Sequence, residues 1–292
     1  MKYRVDLDFI GTGNASKKYG GKLKAWSFMD VDAQVWFNNF RNQILSSINK
    51  EFLPVYRMAD GEYRFLIGRK YNWHRKPLWK ELLAVSAEKL RIKNPDKWKT
   101  SWGETYSPKE TRELRSKLVS QIQQIATSGY LGCFINDNGL KRYIEYNKSI
   151  ALFFKKKNIV FDEKNYIPFH FVVGLLVNKG WQDFYINRNI LVVSGTDTEK
   201  EKNIKSNILR LGAKSVQFLR ISGTASMKEK LNLSQIQIQP DICFVAAGIG
   251  SANILLQLRP LNTVALDIGG YINCFIDTDK SQHGGVFKYV GK

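Results

Sequence analysis

DICFVAAGIGSANILLQLRPLNTVALDIGGYINCFI, residues 241–276, is the stretch on which the fold turns. It reads as a buried strand over Asp241–Ala246, a turn through Gly248 and Gly250, a helix over Ser251–Leu258 and a second strand over Val264–Asp267. Upstream the same alternation holds. Asn189–Ser194 is a strand, Glu199–Leu211 a helix that ends at Gly212, Ser215–Ile221 a strand, and Met227–Asn232 a short helix. Strands that alternate with helices pair in parallel, so the reading is an α/β protein with a doubly wound, Rossmann-like, mostly parallel sheet flanked by helices.

The first half supplies further layers. Phe37, Phe40, Ile44 and Ile48 fall on one face of a helix predicted over Ala33–Lys50. Phe52–Met58 is a strand entered through Pro54, and a helical pattern after it carries Phe65 and Leu66 toward Gly68. A helix is predicted over Pro77–Leu90. A stronger one covers Ser107–Ser128, with Ser107 as N-cap, Pro108 as first residue and Glu110 as capping-box partner. Strand Tyr130–Ile135 and helix Leu140–Lys155 follow. Residues 1–30 are polar with little periodicity and read as an N-terminal extension without an assigned role; 31–292 read as one domain. Gly11-Thr-Gly13-Asn lacks a third glycine and a following helix, which favours a loop over a phosphate cradle.

Lys and Arg number 45 against 26 Asp and Glu, a net charge of +19. So large a surplus creates a positive surface potential and points to an anionic partner, although lysine-rich solvated faces can account for part of it. Cys133, Cys243 and Cys274 are too scattered for a disulfide framework or a zinc knuckle. The N-terminus lacks an apolar signal core, and no run reaches the roughly 18 apolar residues of a membrane-spanning helix. A cytoplasmic protein, placed at most against the inner face of the membrane, is expected.

Four strand ends carry candidate chemistry. Arg57-Met-Ala-Asp60-Gly61-Glu62 lies where a strand gives way to a helix, the place where open α/β sheets bind ligands. Two carboxylates two residues apart can converge on a divalent cation, and all-oxygen ligands suit Mg²⁺ or Mn²⁺. Arg57 can pair with a phosphate or orient a carboxylate. The plainer alternative is a helix start with Asp60 as N-cap and Glu62 favoured by the dipole. Gly248, Gly250 and Ser251 form a glycine turn that lets a phosphate approach backbone N–H groups, or a tight turn made for packing. Asp267, followed by Gly269 and Gly270, can bond a ribose or sugar hydroxyl, or cap the next helix. Gly195-Thr196-Asp197-Thr198 reads as an N-cap in preference to a rim loop. His170 reads as a core or wall residue and His74 as exposed. His283, near two glycines, can fold over a site and add a metal ligand. There is no Ser–His–Asp order, no HExxH and no P-loop.

RMADGE at 57–62 resembles the R-x-G-D-G-E signature of the GT-D glycosyltransferases, and the strand, glycine turn, helix and Ala-x-Asp-Ile-Gly ending of 241–276 resembles the same family's close. Ala59 stands where glycine is usual, and Gly270 where a histidine commonly follows. The resemblance implies a GT-D fold, with Asp60 and Glu62 as a metal-binding pair assisted by Arg57. It places Gly61, Gly248, Gly250, Ser251, Asp267 and Gly269 around a nucleotide sugar, with a UDP-sugar expected. The acceptor would be a saccharide or lipid-linked hydroxyl in bacterial surface polysaccharide, lipopolysaccharide or glycoprotein synthesis. Glu104 and Asp137 are candidates for a general base. The basic, tryptophan-rich stretch 69–106 can face an anionic lipid-linked acceptor at the membrane. Two readings compete with this one. A non-catalytic nucleic-acid-binding α/β protein would suit the charge but has no RRM, KH, helix-turn-helix or zinc-finger signature behind it, so nucleic acid is not the expected partner. A nucleosidase or methyltransferase would suit the sheet.

Overall fold

The computed structural model describes residues 3–11, 22–67, 79, 82–83, 86, 98–99, 105–133, 150–177, 182–276 and 287–289. Its centre is a seven-stranded parallel sheet built from β3 (Leu53–Met58), β6 (Tyr130–Cys133), β7 (Tyr166–Pro168), β8 (Asn189–Ser194), β9 (Ser215–Arg220), β10 (Ile242–Ala246) and β11 (Val264–Asp267), in the order β7-β6-β3-β11-β10-β8-β9. Every residue of β3 and β11 is buried, as expected of strands covered on both faces. The α/β, doubly wound expectation holds.

Three long helices follow the sequence closely. α1 (Ala33–Ser47) is capped by Asp32, whose carboxylate accepts from the N–H groups of Gln34 and Val35, and it buries Phe37, Phe40 and Ile44. Trp36 packs edge-on against Tyr166, and Phe40 against Tyr130, which seats α1 on β6 and β7. α2 (Asp60–Ile67) leaves β3, and two short strands, β4 (Trp98–Lys99) and β5 (Thr105–Tyr106), pair antiparallel ahead of the next long helix. α3 (Pro108–Ser128) carries the full capping box: Ser107 Oγ accepts from Glu110 N–H, and the Glu110 carboxylate accepts from Ser107 N–H. α4 (Phe171–Val177), α5 (Thr198–Arg210) and α6 (Ser251–Gln257) complete the described, labelled helices. Residues 150–156 are also helical, matching the second half of the helix expected there. Most of the helix expected over Pro77–Leu90 lies outside the described residues; positions 79, 82, 83 and 86 are helical.

Two expectations need correction. Residues 1–30 are not irregular. β1 (Tyr3–Gly11) and β2 (Lys22–Ser27) form an antiparallel hairpin, and β12 (Phe287–Tyr289) adds to the other edge of β1. Val5, Leu7, Leu23 and Ala25 point inward from the hairpin, which packs on α1. The period-two alternation of Val5, Leu7 and Phe9 with Arg4, Asp6 and Asp8 is the signal for a half-buried strand. The Gly11-Thr-Gly13-Asn loop lies outside the described residues beyond Gly11.

The second correction falls at Met227–Asn232, which forms turns instead of a helix. The carbonyls of Ser226 and Glu229 are taken by side chains of α6: Asn253 Nδ2 donates to both, at 3.1 and 2.9 Å, and Gln257 Nε2 donates to Glu229 at 3.0 Å. Asn253 in turn accepts from Gln121 of α3 at 3.1 Å. A buried amide thus does the work that the next helical turn would have done. A short 3₁₀ turn, Leu233–Gln235, lies just beyond.

The topology fixes where a ligand can enter. From β8 the chain passes through α5 to β9, toward one edge of the sheet. From neighbouring β10 it passes through α6 to β11, in the opposite direction. The loops leaving β8 and β10 therefore diverge and open a crevice at the C-terminal end of the sheet.

Pro54 is tolerated in β3 because β6 begins alongside only at Val55, which pairs with Tyr130. Gly129 precedes Tyr130, and a Cβ built there would sit 2.0 Å from the Pro54 carbonyl oxygen. Gly129→Ala should therefore force β3 and β6 apart and cost about 1–3 kcal/mol, toward the upper end because the obstacle is backbone. Urea denaturation measures this; an unchanged midpoint would contradict the packing described.

Candidate active site

Arg57 is the last but one residue of β3 and is 5% exposed. Its backbone N–H donates to Asp267 Oδ2 at 3.2 Å, and its Nε donates to the Asp267 carbonyl oxygen. The guanidinium lies between two rings, 4.7 Å from the centroid of Phe169 and 4.6 Å from that of Tyr271. Nη2 occupies the space beside Gly269, where an added Cβ would meet it at 2.5 Å, and Gly269 itself has φ +45°. Only glycine fits there on both counts. Nη1 is buried and has no partner among the described residues. Arg57 thus ties the end of β3 to the end of β11 and to the turn after it, and it retains one buried donor.

Asp267 completes that tie. Its Oδ1 accepts from Ser251 Oγ at 2.9 Å, so one carboxylate joins β3, β11 and the start of α6. Burial raises its pKa, against the opposing pull of Arg57 and of its hydrogen bonds. Glu62 occupies the third position of α2, and its Oε2 accepts from Ala59 N–H at 3.1 Å, the backward half of a capping box. The residue is part exposed, yet its carboxyl is drawn deep enough that desolvation, reinforced by the charge of Asp267, lifts its pKa to about 7. His170 is buried, and desolvation followed by the nearby charge of Arg57 lowers its pKa to about 3, so it is a neutral wall residue.

A cavity of about 340 Å³ opens in the crevice. Its walls are the loops after four strands: Ser194–Asp197 after β8, Ile221–Gly223 and Ser226 after β9, Ala246–Gly248 after β10, and Gly269, Gly270, Ile272, Asn273 and Ile276 after β11. Lys200 lies at the rim. Asp197 caps α5 by accepting from Lys200 N–H at 2.9 Å, as expected, and it also lines the cavity, so the cap and rim readings are both true. Lys200 Nζ pairs with the same carboxylate at 2.6 Å.

The sequence-predicted residues divide into layers. Gly248 and Gly269 line the cavity. Ser251 and Asp267, expected at the ligand, turn toward each other beneath the floor and are 0% and 4% exposed. Gly250 also serves packing, since a Cβ there would meet Ser226 at 2.4 Å. Arg57 reaches the cavity only through Gly269. Gly61 is exposed, with open space where a Cβ would go. Asp60 begins α2, but its side chain is outside the described residues, as are His74, His283, Glu104 and Asp137. Among the described residues no three acidic, histidine or cysteine side chains gather at a metal-sized point.

Sequence reasoning weighed the β8 loop as a rim loop but favoured an N-cap, and it passed over the β9 loop. Their signal is a repeated tripeptide: Ser194-Gly195-Thr196 and Ser222-Gly223-Thr224, each at the end of a strand. Each folds the same way, with the threonine N–H donating to the serine Oγ at 3.2 Å. A Cβ on Gly195 would sit 3.0 Å from Gly223 Cα, so the twin turns press together to form one wall. The two rings that clasp Arg57 were also not foreseen.

No family model and no curated protein matches the chain. Three solved structures resemble it. One, of the highly conserved domain of unknown function 1792, described as having a distinct glycosyltransferase fold, is 12% identical, with 86% of each chain covered and a TM-score of 0.48. A selenomethionine structure of the same domain is 12% identical over 81% of each chain, with a TM-score of 0.44. A glycosyltransferase with that domain from Streptococcus sanguinis is 14% identical, over 78% of this chain and 79% of that one, with a TM-score of 0.43.

The raised pKa of Glu62 carries a stability consequence. Its carboxyl holds its proton more tightly in the folded chain than at its ordinary 4.5. The stabilisation is present below that value and is lost as pH rises through about 7. Glu62→Gln keeps the bond from Ala59 N–H and removes the charge. Relative to wild type it should gain about 1–2 kcal/mol between pH 5 and pH 8, less than the full shift because solvent reaches the carboxylate. Urea denaturation of both proteins at the two pH values tests this, and parallel profiles would refute it.

Proposed function

We propose that the chain is a glycosyltransferase that moves a sugar from a nucleotide-diphosphate donor to an acceptor hydroxyl. The observation that carries the proposal is convergence. The Arg57–Glu62 motif leaves the C-terminal end of β3, the glycine turn leaves the C-terminal end of β10, and only β11 stands between them. The cavity opens at that same edge. Two motifs about 190 residues apart in the sequence, each resembling part of one family's signature, thus leave the same end of the sheet two strands apart, the end at which open α/β sheets bind nucleotides.

In this reading the cavity takes the nucleotide, a UDP-sugar being the expected donor. The hydroxyls of Ser194, Thr196 and Ser222 and the backbone of Gly248 and Gly269 face ribose and phosphate oxygens. The N-terminus of α5 at the rim adds a favourable field for an anion. Arg57 and Asp267 act as positioning residues: they hold the cavity floor against the end of β3, which fixes the distance between donor and acidic motif.

Mn²⁺ or Mg²⁺ suits the acidic motif on chemical grounds. Glu62 offers a part-exposed oxygen donor whose pKa is raised first by desolvation of its carboxyl and then by the charge of Asp267, a cost that a bound cation would offset. Asp60 and Glu62 would hold the ion, which when bound offsets the charge developing on the departing nucleoside diphosphate. The acceptor is proposed to be a saccharide or lipid-linked hydroxyl of bacterial surface glycan synthesis.

A thermal-shift panel of sugar nucleotides, run with and without Mn²⁺, tests the proposal. One donor should raise the melting temperature in the presence of metal, because a ligand selective for the native state stabilises it. Asp60→Asn and Glu62→Gln should each remove the metal-dependent part of the shift and lower turnover by about 100-fold or more, with the fold intact. Full turnover in either variant, or stabilisation by S-adenosylmethionine or free nucleosides in place of sugar nucleotides, would redirect the assignment.

A further inference from the structure

The loop that follows β9 is held from behind by amides. Its Ser226 and Glu229 carbonyls face α6, and Asn253 Nδ2 donates to both, at 3.1 and 2.9 Å. Gln257 Nε2 donates to the Glu229 carbonyl as well, at 3.0 Å, while Gln257 Oε1 accepts from Leu231 N–H at 2.9 Å. Asn253 is fixed in turn by Gln121 of α3, which donates to its Oδ1 at 3.1 Å. Both Gln121 and Asn253 are buried. The loop closes on itself at Glu229, whose Oε2 accepts from Ser222 N–H at 2.8 Å. Glu229 thus receives Asn253 on its backbone and holds Ser222 with its side chain.

Buried carboxamides are a costly way to secure a turn, because each is tolerated only with its hydrogen bonds met. Apolar packing would also hold a turn, but it is non-directional; a satisfied polar network specifies one position. What is specified here is cavity wall. Ser222, Gly223 and Ser226 all line the cavity. Ser226 also fills the space that a Cβ on Gly250 would need, so the wall presses on the glycine turn. Asn253 stands behind that wall.

We infer that Asn253 is a positioning residue for the nucleotide: acting through Glu229, it sets Ser222 and its neighbours at the distance at which the cavity closes on a nucleoside diphosphate. This rests on the reading of the cavity as the donor site. The energetic argument is preorganisation, since a wall already in place costs nothing to order when the ligand arrives.

The test is calorimetric titration of the full-length protein with UDP, GDP, ADP and CDP in the presence of Mn²⁺. Asn253→Asp keeps the size of the side chain and the acceptor for Gln121, but it puts an oxygen where two carbonyls need a donor. Affinity for the diphosphate that wild type binds should fall about tenfold or more. Asn165→Asp is the matched control. Asn165 is also buried, its Nδ2 donates to the Ala126 and Val160 carbonyls at 2.8 Å each, and its Oδ1 accepts from Asp162 N–H at 3.1 Å. It precedes β7, at the end of the sheet away from the cavity. Asn165→Asp should therefore lose stability in urea and keep wild-type affinity. Glu229→Ala, at a part-exposed side chain, should weaken binding in the same direction as Asn253→Asp. Glu229→Gln, which retains an oxygen for Ser222 N–H, should restore it. Cooperative thermal unfolding above the assay temperature shows that each variant is folded, and the Glu229 pair decides the matter if Asn253→Asp is not. The inference is overturned if folded Asn253→Asp or Glu229→Ala binds as wild type does, or if Asn165→Asp loses as much affinity. A wild type that binds none of these diphosphates refutes the donor reading itself, and this inference with it.

Discussion

Everything at the cavity end of the sheet depends on how Arg57 and Asp267 bond to each other. The contact crosses two strands that are neighbours in space and 210 residues apart in the chain. It runs through backbone on both sides: the arginine amide to the aspartate carboxylate, and the guanidinium to the aspartate carbonyl. Burying a cation is costly unless its donors are met. Here the cost is offset by two aromatic faces and one carbonyl, and one donor is left over. Such an arrangement has little slack. The Tyr271 turn, the floor at Gly269 and the end of β3 keep their mutual positions because each of them touches the same planar group.

That constraint explains a division of labour that residue type alone does not reveal. Asp267 and Ser251 are polar, lie at strand and helix ends and look like ligand contacts, yet their hydrogen bonds are directed to each other and to Arg57. The cavity surface belongs instead to small residues and hydroxyls of four loops. The polar residues with the most conspicuous sequence context form the frame, and the inconspicuous ones form the wall. Glu62 stands apart from both groups: it caps α2, and desolvation raises the pKa of its carboxyl to about 7.

Much of this architecture was legible in the sequence because parallel strands covered on both faces are written as apolar runs. β8 and β11 fall at the predicted residues, and β3 and β10 lie within one residue of them. The capping box at Ser107 and the N-cap at Asp197 were legible because each depends on a local pattern of three or four residues. What the sequence obscured depends on distant partners. The turns at 226–229 arise because amides on α6 take carbonyls that a helix would need. The twin Ser-Gly-Thr turns gain meaning only when β8 and β9 are known to be adjacent. The clasp on Arg57 draws on Phe169 and Tyr271, which nothing local assigns to position 57. The hairpin at 3–27 was different: its alternating pattern was present and short, and charged residues between the apolar ones masked it.

The small sheet formed by the hairpin and β12 has a consequence for biogenesis. Phe9 pairs with Tyr289, nearly the full chain apart. On the ribosome, the outer edge of β1 therefore stays bare while the parallel sheet is being assembled, and an open strand edge invites wrong pairing. The polypeptide must keep β1 out of trouble until β12, made far later, arrives. Asp6 and Asp8 on β1, and Lys22 and Lys24 on β2, supply the charges that discourage a stranger from taking that place in the interval.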